Sequence, residues 1–139
     1  MNMLIIGRCR VPHLRIEYSP GLADKVDIGA LCRAAHRAMA ETGIFPLAGI
    51  RVRAFCADHC IVADDHPEND FAACLLAVGA GRTTPVLQEA GRHIFAALQT
   101  CLADELAKPH LALSLDIRVS DPDLSWKDTP IHARLSRKD

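Results

Sequence analysis

The hydrophobic period of this chain switches between two residues and three to four, and it does so in the same order twice. That switching constrains the fold more than any other feature, because period two marks a half-buried strand and the longer period marks a helix with one apolar face. In Pro12–Tyr18, Leu14, Ile16 and Tyr18 alternate with His13, Arg15 and Glu17, and Ser19-Pro20-Gly21 ends the strand. From Asp27 onward Ile28, Leu31, Cys32, Ala35 and Met39 fall at helical intervals, opposite Arg33, His36 and Arg37. Gly43, after Thr42, is placed to close that helix in the left-handed conformation. A second strand follows at Ile50–Cys56, with Ile50, Val52 and Ala54 on one face and Arg51 and Arg53 on the other.

The second round begins at Phe71–Val78, expected to form a hairpin with Cys60–Ala63 across the turn-rich Asp64–Asp70. After Gly79-Ala80-Gly81-Arg82 comes the longest helix, with Thr84 as expected N-cap and Pro85 at the first helical position. Leu87, Ala90, Ile94, Leu98, Cys101 and Leu102 form its apolar stripe, and Lys108-Pro109 stops it. Leu111–Val119 supplies another strand, and Ile131–Leu135 reads as a short last one after the loop holding Trp126. The predicted class is α+β: two βαβ units, strands parallel within each unit, forming a four-stranded sheet with two helices on one face. The other face then needs cover, expected from further copies of the chain.

The 139 residues suffice for one domain with a real core. A formal net charge of −1 provides no basic field for a phosphate backbone, so no nucleic-acid partner is expected. Arginine supplies 12 of the 16 Lys and Arg residues, and its planar fork suits carboxylates, although biased coding would enrich it equally. No apolar run approaches the ~18 residues that span a bilayer, so no membrane partner and a cytoplasmic location are expected. Cys9, Cys32, Cys56, Cys60, Cys74 and Cys101 form no CxxC pair and read as reduced, buried thiols.

Candidate chemistry is sparse. Gly79 and Gly81 suggest a dinucleotide loop, but the third position of GxGxxG is Thr84, so that reading is rejected. Two readings of the segment remain: helix-start N–H groups beside Arg82 form a small anion site, or the glycines only turn the chain beside a solvated Arg82. Cys56, Asp58, His59 and Cys60 lack the paired cluster of a structural zinc site, and no cysteine sits in an activating motif. No metal and no cofactor are expected. The histidines are scattered, and Arg51 with Arg53 defaults to a solvated face.

Three segments go further: Thr42-Gly43-Ile44-Phe45-Pro46-Leu47-Ala48-Gly49-Ile50-Arg51, Gly79-Ala80-Gly81-Arg82 and Ala112-Leu113-Ser114-Leu115-Asp116-Ile117. In these the chain closely resembles the 5-carboxymethyl-2-hydroxymuconate isomerase family of the tautomerase superfamily, in consistent order from Pro12 to about Leu135. The resemblance implies a homotrimer with active sites near subunit contacts. It also implies proton transfer along a conjugated enol to give the isomeric ketone, in bacterial breakdown of homoprotocatechuate (4-hydroxyphenylacetate). The substrate implied by the resemblance is an unsaturated tricarboxylate. The family's amino-terminal proline base corresponds to Pro12, its Pro-His start to Pro12-His13, and its substrate-binding arginines to Arg51 and Arg82.

Eleven residues precede Pro12, and an acylated proline nitrogen is an amide without a basic lone pair. Residues 1–11 are therefore expected to be an extension missing from the native protein, leaving 12–139 as the single domain. Val11 fits a GTG start, read as valine internally and as methionine when it initiates, with removal of that methionine freeing Pro12. Alternatives are a tautomerase for another enol acid, or a non-catalytic trimeric binding module if Pro12 is not amino-terminal.

Overall fold

The computed structural model describes residues 12–136, so the expected extension lies outside the described residues. The central strand β1 (His13–Tyr18) alternates its side chains as expected, with Leu14 and Ile16 fully buried. A helical turn the periodicity did not show, α1 (Pro20–Lys25), follows immediately, with proline in its first turn and Leu22 buried. Helix α2 (Ile28–Glu41) is capped by the Asp27 carboxylate, which accepts from Ala30 N at 3.0 Å. Gly43 has φ +74°, and a Cβ there would meet nothing within 4 Å, so glycine is required by the left-handed backbone and not by space. A 3-10 turn at Leu47–Gly49 leads into β2 (Arg51–Cys56).

The second unit comprises β3 (Asp70–Val78), α3 (Thr84–Cys101), a short α4 (Ala103–Leu106) and β4 (Leu111–Val119). Strand order is β2-β1-β3-β4, with β1 parallel to β2, β3 parallel to β4, and β1 antiparallel to β3. This is the predicted pair of βαβ units side by side. Helices α2 and α3 pack against each other over one face, where Leu31, Ala35, Met39, Ile94 and Leu98 meet Leu14, Ile16, Leu76 and Val78. Alternation along β3 sends Phe71, Ala73, Leu75 and Ala77 to the opposite face, where each is only half-buried within the chain.

Several local expectations are corrected. Cys60–Ala63 forms no strand: Ala63 and Asp65 have φ of 53° and 60°, and the Asn69 amide closes the loop onto Val62 O and Asp64 Oδ1 instead of a ladder. Ile131–Leu135 lies in a helix, α5 (Pro130–Ser136), because five residues fit either period and Pro130 pre-sets a helical start. The N-cap of α3 is Thr83, whose hydroxyl accepts from Val86 N, and Thr84 is already helical. Leu102 continues the buried stripe after Leu98 while Cys101 is exposed. Cys56 and Cys60 are exposed too, Cys32 is half-buried, and only Cys74 among the described cysteines is fully buried, its thiol pushed up to about 12 by burial.

Candidate active site

Parallel pairing of β1 with β2 starts where Arg51 N donates to the carbonyl of the buried Pro12 at 3.1 Å. The register sets His13 opposite Arg51, so both side chains leave the sheet on the face away from the helices. Arg51 Nη1 lies 3.0 Å from His13 Nε2 and also donates to Gly49 O at 3.4 Å. A guanidinium has donors only, so Nε2 must accept and the imidazole proton belongs on Nδ1. Burial, followed by the positive charges of Arg51, Arg53 and Lys127, lowers the His13 pKa below its ordinary value. His13 is thereby held neutral beside a cation, with its Nδ1–H left to donate.

His13 and Arg51 open onto a cleft of about 390 Å³ whose walls include Ser120, Ser125, Trp126 and Lys127. Ala77 of β3 and Gly79 just beyond it complete the sheet side. Among the described residues no Asp or Glu lines this cleft, and neither Arg51 nor Lys127 has an ion pair. Such a cleft can receive an anion whose charge the protein has not already neutralised.

Arg82 sits apart from Arg51 within the single chain. Its guanidinium donates to Ile44 O at 3.0 Å and Gly79 O at 3.5 Å, and it lies 4.8 Å from the centre of the Phe45 ring. It therefore ties the turn after α2 to the loop after β3, two of the motif segments quoted above. Arg82 does not line the cleft in the single chain, although Gly79, which accepts from it, does. Arg53 shares the Arg51 face but is exposed and faces Arg15 across the strand pair.

Cys56, Asp58, His59 and Cys60 are all exposed, and among the described residues no three potential ligands come together to hold a metal. None of the described helices is long and apolar enough to cross a membrane. The segment 120–129 is the part of the cleft that periodicity passed over. The one available signal was the chain's single Trp, standing beside a Lys in a loop that follows a strand of the sheet.

Paired βαβ units with a cationic cleft at the proline end of the central strand define a tautomerase-like fold. The chain belongs to the 5-carboxymethyl-2-hydroxymuconate isomerase family, whose model matches residues 12–135. It is 34% identical over 123 residues to the 5-carboxymethyl-2-hydroxymuconate Delta-isomerase of Escherichia coli, covering 88% of this chain and 98% of that one. A crystal structure of a 5-carboxymethyl-2-hydroxymuconate isomerase from Deinococcus radiodurans R1 superposes with TM-score 0.83 at 35% identity, covering 91% of this chain and 96% of that one. Another, of a 5-carboxymethyl-2-hydroxymuconate delta-isomerase, gives TM-score 0.85 at 30% identity, covering 94% and 96%.

Proposed function

We propose that this protein ketonises 5-carboxymethyl-2-hydroxymuconate, converting the dienol to its 2-oxo isomer with the Pro12 nitrogen as base. The observation that carries this reading is the family match, which opens at Pro12 and runs through all four strands. In the acting protein Pro12 is the first residue and its nitrogen a secondary amine. The neutral amine takes the proton of the 2-hydroxyl, electrons shift along the diene, and the ammonium returns a proton to the distal carbon. Nothing is oxidised or reduced, so the step calls for no redox cofactor, and the amine itself carries the proton.

Neighbouring cations lower the pKa of the amine toward working pH, because they disfavour its charged form. Arg51 has no carboxylate partner among the described residues and can clamp one carboxylate of the substrate or stabilise the dienolate oxygen, with the His13 Nδ1–H as a further donor. Arg82 would join the site across a subunit contact. That role fits a homotrimer whose copies cover the half-buried face of Phe71, Ala73, Leu75 and Ala77. Exposed free thiols at Cys56, Cys60 and Cys101 suit a reducing cytoplasm, where breakdown of 4-hydroxyphenylacetate supplies such an acid.

The test is direct. Protein beginning at Pro12 should convert the dienol, followed as an ultraviolet change, and sediment as a trimer. Inactivity on this acid and on every related 2-hydroxymuconate would defeat the isomerase reading.

A further inference from the structure

The proposed substrate carries three carboxylates, whereas the family correspondence supplies arginines at Arg51 and Arg82. We propose that Lys127, carried over the cleft by the segment after β4, receives the third carboxylate, that of the carboxymethyl arm, and so selects the tricarboxylate over a dicarboxylate analogue. This assignment rests on the isomerase reading above.

The segment is tied down on both sides of the cleft. At its start Ser120 N donates to Val78 O at 2.8 Å, and the Asp121 carboxylate caps the turn Pro122–Leu124 by accepting from Asp123 N at 2.9 Å. At its end His132 N donates to Thr129 O at 2.9 Å, and α5 packs against the Leu47–Gly49 turn. Between these anchors Ser125, Trp126, Lys127 and Thr129 all line the cleft. Lys127 Nζ donates to Ser125 Oγ, which directs the ammonium, and its positive charge reaches His13. No carboxylate pairs with Lys127 among the described residues.

Trp126 is 84% exposed in the single chain although it lines the cleft, so its ring offers an open apolar plane there. A flat, conjugated chain is the ligand chemistry that such a face accepts. The cation types divide the work in the same way. Arginine's rigid fork suits a carboxylate fixed in the plane of the diene, whereas lysine is a point charge on a flexible stem. A carboxylate on a rotating methylene arm has no fixed plane to match, and the flexible cation follows it.

Kinetics on two acids decide the matter, using protein that starts at Pro12: the tricarboxylate, and 2-hydroxymuconate, which lacks the carboxymethyl arm. Lys127 is exposed, so its replacement should leave the melting temperature unchanged. In Lys127→Met, kcat/KM for the tricarboxylate should fall about 10- to 100-fold, chiefly through KM, and that for the dicarboxylate far less. Lys127→Arg should recover most of the preference. If wild-type protein turns over both acids and Lys127→Met changes them by the same factor, the assignment of Lys127 is overturned while the isomerase reading stands. If wild-type protein turns over neither, both fall together.

Discussion

The two ends of β1 treat charge in opposite ways. At the Tyr18 end, Ser19 Oγ donates to Asp70 Oδ1 at 2.6 Å, Lys25 Nζ sits 2.8 Å from Asp70 Oδ2, and Phe71 N donates back to Ser19 Oγ. The hydrogen bond to Asp70 is the main reason the Lys25 ammonium titrates above its ordinary range. Chain and network touch so closely that a Cβ on Gly21 would come within 2.7 Å of Asp70 Oδ1. At the Pro12 end, Arg51 and Lys127 have no carboxylate partner among the described residues, and they stand around a histidine kept neutral by burial and by their charge. Charge neutralised inside the chain holds β1, α1 and β3 together. Charge left unpaired in an open cleft is available to a ligand.

That contrast can be broken or sharpened by experiment. The largest effect should come from the Pro12 nitrogen: a chain that keeps residue 11 attached should fold and melt like one beginning at Pro12, yet have kcat/KM lower by about a hundred- to ten-thousand-fold. Intact-mass analysis of native protein that is fully active with residues 1–11 attached would require another base.

Next comes Arg51→Ala, which should cost about 2 to 4 kcal/mol of transition-state stabilisation with little change in melting temperature. Arg82→Ala should cost a similar amount in turnover, and it should also destabilise the turn that Arg82 holds through the Ile44 carbonyl. A loss confined to stability would move Arg82 to the structural side of the comparison. Arg53→Ala should have a smaller effect than either.

At the opposite end the readouts should exchange. Asp70→Ala removes the acceptor that Lys25 and Ser19 share, leaving Lys25 only Glu68, so it should lower unfolding stability by about 1 to 3 kcal/mol, measured by denaturant titration. Its kcat/KM per folded molecule should stay near wild type. A loss of turnover at full stability would place this network in the machinery after all.

The smallest effect is the pH dependence at His13, where the folded-state pKa lies below the ordinary histidine value of about 6.5. Above that pH the imidazole is neutral folded and unfolded, and it has no linked effect. Below it the unfolded chain takes up a proton that the folded chain resists, so stability should decline as the pH falls. Thermal melts from pH 7 to 5 should show a shallower decline in His13→Gln. Equal slopes would show that folding does not lower the His13 pKa.

Much of the architecture was legible because it is local. The switch of period marks β1, α2, β3, α3 and β4 by their own side chains, and Gly43 marks its turn by its own φ. Errors fell where a short stretch fits two periods, as at 131–135, or where side-chain bonds replaced a ladder, as at 60–63. Likewise the motif segments led to Arg51 and Arg82, but spacing carried no sign that the Arg82 guanidinium would be taken up by a carbonyl of another turn.

The sequence by itself determined the two βαβ units, the proline that opens the first of them and the family to which they belong, since each is written in residues close together along the chain. Only the tertiary structure decided that His13 meets Arg51 and that Lys127 and Trp126 face them across one cleft. Strand register is a set of bonds between residues 38 positions apart, and a loop's resting place depends on what the sheet leaves open. No local period encodes either, because both arise from packing between distant segments.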